Sequence, residues 1–268
     1  MCLAILQFSQ LGSGLRVGFL DVGQGDAILI QTPEHHQILI DAGPGSQVLE
    51  GLGRRMRFFD KTIDFFVLTH PDRDHFGGIL DVMQKYKIGV ILMSGVVSGD
   101  LAYQDFLDRA DRAKIPIWFA QNDQDLEISP GVVLDVLYPP TGQSFVGQEF
   151  KDKNNTSVVM RLVQKGADPW SAEGWRPLVM LMGDAEGPEE EALLASGQDL
   201  RAEILKLGHH GSKTGTSEAF LAAVHPKMAI VSVSADNKFG HPAPETLARL
   251  KSIQVRRTDG EGDITLKY

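Results

Sequence analysis

The chain has 268 residues, of which 43% are hydrophobic, and its 26 basic and 35 acidic side chains give a formal net charge of −9. This size allows a buried core without disulfides, and the single cysteine, Cys2, excludes both an internal disulfide and a cysteine-built zinc site. The acidic balance argues against a broad basic surface for gripping duplex DNA. It does not exclude a nucleic-acid substrate, because bound metal ions would add local positive charge.

We expect one domain over residues 15–268, preceded by a tail or domain junction over residues 1–14. No apolar run approaches the roughly 18 residues of a membrane-spanning helix, and the short apolar run near the start has no basic segment before it. Taken literally, the chain has no export signal, which points to the cytoplasm. As a piece of a longer membrane protein, it would instead lie outside the cytoplasmic membrane.

Apolar runs and helical spacing alternate along the chain and predict an α/β (α+β) fold. The elements predicted for the first half are strands at 15–22, 27–31, 37–41, 64–69 and 90–93, and helices from Ile79 to near Lys87 and at 102–114. The short gaps between the first three strands are typical of an antiparallel meander.

The second half continues the pattern. Its predicted elements are strands at 115–119, 132–137, 157–163, 178–182, 204–207 and 229–234, and helices at 188–195, 217–224 and 244–252. Residues 139–155 are rich in Pro, Gly, Gln and Asn and predict a loop long enough to be functional. The final RRTDGEGDITLKY predicts a hairpin with a glycine-rich turn.

Polar side chains stand directly after four predicted core strands. Asp41 ends ILID, His70 ends FVLTH, Asp184 ends VMLMGD and His209 follows ILKLG. Functional sites of layered α/β folds are commonly built on the loops that leave the sheet. Two carboxylates and two imidazoles could therefore converge at one edge.

The stretch THPDRDHFGG places His70, Asp72, Asp74 and His75 within six positions. Imidazole and carboxylate both suit borderline or hard divalent cations, and alternate positions can face two ions. The competing interpretation is that Asp72 or Asp74 only caps the following helix. Asp184 and the GHHGSK segment, which also follow core strands, favour the metal site.

Other motifs carry less information. Gly23–Asp26 is glycine-rich after a strand but is followed by another strand, so a dinucleotide-binding turn is not indicated. The Asn154–Ser157 stretch could contact a ligand or form a turn, and His241 could reach the site or be an ordinary loop histidine. Ser157 and Ser212 lack a neighbouring histidine–acid arrangement, so a serine hydrolase is not supported.

Six motifs occur in a fixed order: FLDVGQGDAILI, ILIDAG, THPDRDHFGG, GDAE, LKLGHHGSKT and DNKFGHP. Together they resemble the C-terminal metallo-β-lactamase-like domain of the ComEC family of DNA-uptake channels, over about residues 15–265. The resemblance implies a four-layer αββα sandwich with a two-metal site along one edge.

By position, the resemblance implies that His70 and Asp72 serve one metal and Asp74 and His75 the other. It also implies that Asp184 bridges both ions, His209 is the late histidine ligand and Asp41 supports the histidine loop. Asp74, Asp184 and His241 are the candidate catalytic residues. The residues assigned to ligand support or substrate contact are Asp41, Asp26, Asn155, His210, Ser212 and Lys213.

One feature departs from many members of the wider superfamily, which have a further histidine between the central motif and the bridging aspartate. This chain has no histidine between His75 and Asp184. One metal would then be bound loosely, or Asn155, water or substrate would complete its shell.

The resemblance favours a metal-dependent phosphodiesterase acting on single-stranded DNA, with a hydroxide held between two zinc or manganese ions. It also implies a membrane-channel partner. The alternatives are a two-metal hydrolase of a small phosphodiester or other small substrate, and an inactive binding module of the same fold.

Overall fold

The computed structural model describes residues 14–121, 124–166 and 174–268, which form two sheets flanked by helices. The tail predicted for residues 1–14 lies outside the described residues except for Gly14.

The first sheet contains seven strands. They are β1 (Arg16–Phe19), β2 (Ile28–Gln31), β3 (Gln37–Ile40), β4 (Thr62–Leu68), β5 (Lys87–Met93), β6 (Ile117–Phe119) and β14 (Ile264–Lys267), in the spatial order β14-β1-β2-β3-β4-β5-β6. The antiparallel meander predicted for β1, β2 and β3 is confirmed, whereas β3 to β6 run parallel. In β2, Ile28 and Ile30 face one core and Leu29 another, as the two-residue period of a strand requires.

The second sheet also contains seven strands. They are β7 (Asp125–Ser129), β8 (Val132–Tyr138), β9 (Val159–Lys165), β10 (Trp175–Leu181), β11 (Ile204–Lys206), β12 (Met228–Val231) and β13 (Gln254–Arg257), in the spatial order β13-β12-β11-β10-β9-β8-β7. Strands β10 to β13 run parallel, and β7 to β10 run antiparallel.

Helices cover the outer face of each sheet. They are α1 (Gln47–Arg55), α2 (Arg73–Phe76), α3 (Ile79–Lys85), α4 (Leu101–Arg112), α5 (Gly187–Ala195), α6 (Glu218–Val224), α7 (Pro244–Arg249) and α8 (Thr258–Glu261). Apolar side chains of α1, α3 and α4 pack on the first sheet, and those of α5 and α6 pack on the second. A third core, including Ile30, Val67, Leu134 and Met160, fills the space between the sheets. The predicted four-layer αββα sandwich is confirmed.

One local prediction is wrong, and some elements were not predicted. The C-terminal hairpin was wrong, because β13 pairs with β12 in the second sheet and β14 pairs with β1 in the first. Its glycine-rich turn is instead helix α8, which separates β13 from β14. The hydroxyl of Thr258, the first residue of α8, accepts the Val233 N–H at 2.9 Å. Helix α1 and strand β7 were not predicted. The long loop predicted for residues 139–155 is confirmed as far as Lys153.

The parallel strands of both sheets point their carboxyl ends toward the same edge of the sandwich. Asp41 follows β3, His70 follows β4, Asp184 follows β10, and the turn Gly208–Gly211 follows β11. The two sheets therefore bring together side chains separated by up to 169 positions in the sequence.

A buried carboxyl in the first turn of α5 gives the fold a pH dependence. Glu189 is 1% exposed, and burial raises its pKa to about 7. Because the folded state holds this proton more tightly than the unfolded state, stability falls as the pH rises from about 4.5 to about 7.

We expect Glu189→Gln to be more stable than the wild type at pH 8, by about 1–3 kcal/mol, and to lose this advantage at pH 4.5. The glutamine oxygen can still accept the Glu186 N–H that Glu189 accepts at 2.9 Å. Urea unfolding at both pH values measures the difference, with Glu191→Gln on the exposed side of the same helix as the control. An advantage independent of pH would contradict the interpretation.

Candidate metal centre

A compact group of nitrogen and oxygen donors lies where the two sheets meet. One ligand atom from each of four residues lies within 4.8 Å of the others, and these residues are Asp74, His75, Asp184 and His210. His75 Nε2 is 3.3 Å from Asp184 Oδ2, and His210 Nε2 is 3.3 Å from Asp74 Oδ2 and 3.6 Å from Asp184 Oδ2. This group has the donor types of a site for a divalent cation.

A second, looser group shares Asp184 with the first. His70 Nε2 lies 3.9 Å from Asp184 Oδ2 and 3.8 Å from Asp72 Oδ2. The other oxygen of Asp72 accepts from Lys153 Nζ at 2.9 Å. Asp184 therefore stands between two sets of donors, each with its own part of the THPDRDH motif.

Hydrogen bonds fix the direction of the imidazole rings. His75 Nδ1 lies 2.7 Å from Asp41 Oδ2, and Asp41 also accepts from the backbone N–H and hydroxyl of Thr69, at 2.9 and 2.8 Å. His210 Nδ1 lies 2.9 Å from the carbonyl oxygen of Ser232. With Nδ1 donating to these oxygens, each ring directs Nε2 at the cluster, so that the neutral imidazole would offer its lone pair to a metal ion.

Several buried polar atoms of this cluster have no hydrogen-bond partner among the described residues. They are His70 Nε2, His75 Nε2 and Asp184 Oδ1, all in residues no more than 2% exposed. Buried donors and acceptors are nearly always paired, so orphaned atoms that converge on one point need an explanation. A cation coordinated by these atoms satisfies them, and the residues therefore fit a metal site.

The charges within the cluster shift the pKa values of its members. Burial would lower the pKa of His210, but Asp184 and Asp26 raise it to about 9. Burial would raise the pKa of Asp184, but His210 and His75 hold it well below its usual range. For His70, burial and then His75 lower the pKa to about 4. A divalent ion would displace the protons of the charged imidazoles, so its binding should weaken as the pH falls.

A buried ion pair supports the cluster from behind. Lys206 is 0% exposed, and its Nζ donates to Asp26 Oδ2 at 2.5 Å and to the Leu207 carbonyl oxygen at 2.9 Å. The other oxygen of Asp26 lies 3.5 Å from His210 Nδ1, and its backbone N–H donates to the Asp74 carbonyl oxygen at 3.2 Å. Lys206 and Asp26 thus form a buried ion pair beside the backbone and side chains that position Asp74 and His210.

The two histidines of the GHHG turn lie at different distances from this cluster. His210, assigned to ligand support or substrate contact, is 1% exposed and points into the cluster. His209, assigned as the late ligand, is 29% exposed at its side chain and places Nδ1 2.7 Å from Glu186 Oε1. Both residues adopt left-handed backbone conformations, with φ of 43° and 53°, which no sequence pattern indicated.

The tight packing of this turn explains why His210, and not His209, points into the cluster. A Cβ on Gly208 would lie 2.0 Å from the Ala185 carbonyl oxygen, so only glycine lets the turn approach the Asp184 loop this closely. The two left-handed residues that follow then direct the second imidazole, not the first, toward the carboxylates.

The other predicted residues lie around this centre. The His241 ring centroid is 5.3 Å from that of His209, so His241 lies next to the more exposed histidine of the turn. Asn154, rather than Asn155, contacts His209, with Nδ2 3.2 Å from Nδ1. Ser212 is 6% exposed and its hydroxyl lies 2.6 Å from Thr214 Oγ1, whereas Lys213 is exposed.

Sequence reasoning missed several supporting residues. Lys206 gave a usable signal, since a lysine in the apolar strand ILKLG is costly to bury without a partner. Thr69 and Ser157 gave none, although Ser157 Oγ accepts the Asp184 N–H at 3.1 Å and lies 3.3 Å from His70 Nδ1. Their roles depend on contacts across the two sheets.

Lys206→Met should destabilise the protein by about 3–5 kcal/mol in urea unfolding, because it leaves the Asp26 carboxylate buried without its partner. Adding Asp26→Asn should recover part of that loss. Lys114→Met is the matched control, since Lys114 and Asp111 form an ion pair with both side chains 81% exposed, and we expect a change below about 0.5 kcal/mol. Equal losses in Lys206→Met and Lys114→Met would refute a structural role for the buried pair.

Comparison with known proteins gives matches to a family model and to longer relatives. A family model described as the metallo-beta-lactamase superfamily matches residues 20–148. The chain is 29% identical over 278 residues to ComE operon protein 3 of Bacillus subtilis (strain 168), covering 96% of this chain and 34% of that protein. It is 30% identical over 246 residues to competence protein ComA of Neisseria gonorrhoeae, covering 90% of this chain and 30% of that protein. The chain spans about a third of the length of these relatives.

Among solved structures, the metallo-beta-lactamase fold protein YhfI from Bacillus subtilis has a TM-score of 0.57 at 12% sequence identity, covering 94% of this chain and 99% of that one. At this identity the likeness concerns the fold alone. Across residues 14–121, 124–166 and 174–268, no helix combines the length and apolar character needed to cross a bilayer. The chain is a metallo-β-lactamase-fold domain that is similar in sequence to part of the ComEC-like competence proteins.

Proposed function

We propose that this domain is a metal-dependent phosphodiesterase that cleaves single-stranded DNA and holds two divalent ions, zinc or manganese. The observation that carries the proposal is the set of converging, unpaired donors at the meeting point of the sheets. The proposed ligands are His70 and Asp72 for one ion, Asp74, His75 and His210 for the other, and Asp184 for both.

The composition of this donor set supports phosphate chemistry. Three carboxylates accompany three imidazoles, and carboxylate oxygens favour harder cations such as manganese more than an all-histidine site would. Ions bound here would polarise a phosphoryl group and make water nucleophilic near neutral pH. Asp72 and Asp74, each with a side chain 35% exposed, form the open side from which a phosphodiester would approach.

The surrounding residues have separate roles in this proposal. Asp41, Ser232 and Lys206 hold the ligands in position, through contacts with His75, His210 and Asp26. Burial, with His209 and His210 nearby, lowers the pKa of His241. The His241 imidazole is therefore neutral at pH 7 and suited to donate a hydrogen bond to a phosphoryl oxygen. Exposed Lys213 would contact a neighbouring phosphate.

The single-stranded DNA substrate is supported by the similarity to the competence protein ComA of Neisseria gonorrhoeae and by the charge of the chain. A net charge of −9 disfavours extended contact with duplex phosphates. A small substrate is the second candidate, favoured by the same acidic balance. The membrane-channel partner is part of the proposal only through the relatives, which are about three times as long as this chain.

The direct test is cleavage of end-labelled single-stranded DNA with added manganese. We expect wild-type protein to release shorter fragments. Asp74→Ala should lower the cleavage rate at least about 100-fold, because it removes a carboxylate that is proposed to bind the same metal ion as His210. Asp111→Ala, which alters a side chain 81% exposed, should match the wild type.

The outcomes separate the competing functions. Cleavage of only a small chromogenic diester would favour the small-substrate hydrolase and contradict the DNA substrate. Near-zero metal content after mild purification, with no uptake of manganese or zinc, would favour an inactive module.

Asp72 provides a test of metal preference that does not depend on turnover. Replacing its carboxylate by imidazole makes the donor set softer, so Asp72→His should raise the zinc-to-manganese ratio retained in competition by about tenfold. Elemental analysis after equilibration with both ions measures the ratio. Asp108→His, at an exposed position of α4, is the matched control and should leave the ratio unchanged. Equal ratios in all three proteins would remove Asp72 from the ligand set.

A further inference from the structure

A row of four rings leads outward from the metal centre to the surface. The ring centroids of His210 and His209 are 6.0 Å apart, those of His209 and His241 are 5.3 Å apart, and those of His241 and Phe239 are 5.9 Å apart. His210 is 1% exposed and Phe239 is 70% exposed, so the row connects the buried cluster with solvent. No part of the proposed hydrolysis uses Phe239.

The loop that presents Phe239 is held in a fixed conformation. Asn237 Nδ2 donates to the carbonyl oxygens of Ser234 and His241, both at 2.8 Å, and Asn237 Oδ1 accepts the His241 N–H at 2.9 Å. The loop is also tied to the histidine turn, because the Ala243 N–H donates to the Gly211 carbonyl oxygen at 2.9 Å. The loop therefore presents the Phe239 ring to solvent in a defined position beside His241.

The ring geometry suits a flat ligand. The ring planes of Phe239 and His241 are inclined by 31° with centroids 5.9 Å apart, so the two rings form a tilted pair rather than an edge-to-face pair. Exposed Lys238 precedes Phe239 and can meet a phosphate, while exposed Asp236 on the same loop opposes a long basic track. The combination favours a ligand that has a flat aromatic part and few phosphates in contact.

We propose that Phe239 and His241 form a stacking platform for one unpaired nucleobase beside the metal centre, which selects single-stranded over duplex DNA. This inference rests on the proposed phosphodiesterase function and specifies its substrate. Aromatic side chains stack on every base, whereas a paired base in a duplex has both faces covered by its neighbours. The platform therefore gives strand selectivity without reading sequence.

The charge of the molecule agrees with binding through stacking. Proteins that bind by neutralising many phosphates lose affinity steeply as salt rises. With a net charge of −9 and one lysine beside the platform, this domain should show a shallow salt dependence for a short single strand. The nucleobase, rather than the phosphate chain, would then supply most of the discrimination.

The first experiment measures binding without cleavage. A fluorescein-labelled oligothymidylate and an abasic strand of the same length are titrated with full-length protein in EDTA, and the anisotropy gives each Kd. We expect the wild type to prefer the strand with bases by about tenfold, Phe239→Ala to abolish that preference and Phe239→Trp to keep it.

Phe59→Ala is the matched control for a solvent-exposed phenylalanine. Phe59 is 75% exposed and precedes β4, whereas His70 follows β4, so it lies at the opposite end of that strand. This variant should retain the wild-type preference. A preference for bases that is equal in the wild type and Phe239→Ala, or absent from both, would overturn the platform.

The second experiment separates the platform from the hydrolase. With manganese present, the ratio of kcat/KM for the oligothymidylate to that for the abasic strand should fall about tenfold in Phe239→Ala. If wild-type protein cleaves neither strand, the proposed function fails, and the binding preference in EDTA still decides for or against the platform. If cleavage occurs with an unchanged ratio in Phe239→Ala, the platform fails while the function stands.

Discussion

The repulsion between buried carboxylates is the constraint on which this structure depends. Asp26, Asp41 and Asp184 are each no more than 2% exposed; Asp184 clusters with Asp74, and Asp26 and Asp41 cluster with His75, where the two sheets meet. A buried carboxylate is stable only when a positive charge or several hydrogen bonds compensate it. Lys206 compensates Asp26, Thr69 and His75 compensate Asp41, and the remaining charge is left to imidazoles or to bound cations.

This distribution of charge explains how the proposed ligands are held in position. The ion pair and the hydrogen bonds behind the cluster involve the far sides of the ligand residues, so the atoms facing the centre stay unpaired. A site built in this way binds a cation without large rearrangement, because its supporting contacts are already made. The same contacts make it costly to remove any single charge from the group.

Much of this arrangement could be predicted from the sequence, because its signals are local. Apolar runs ending in Asp41, His70 and Asp184 indicated both the strands and the edge at which the polar side chains meet. The choice between His209 and His210 was not local, since it depends on two left-handed residues and on the close packing of Gly208 against Ala185. The C-terminal strands were misjudged for a similar reason, as their pairing partners lie in two different sheets. Lys206 is an intermediate case. A lysine within an apolar strand could be noticed in the sequence, but its partner, Asp26, is 180 positions away.

The pairing of β14 with β1 also brings the two ends of the described sheet together. The Tyr268 N–H donates to the Leu15 carbonyl oxygen at 2.9 Å, so the two ends of the described sheet lie side by side. They lie at the start of β1, whereas the loop with Asp26 follows its other end. The described chain therefore starts and finishes at the end of the first sheet that lies away from the loop with Asp26. Both ends are thus kept clear of the side of the domain that the proposed substrate would approach.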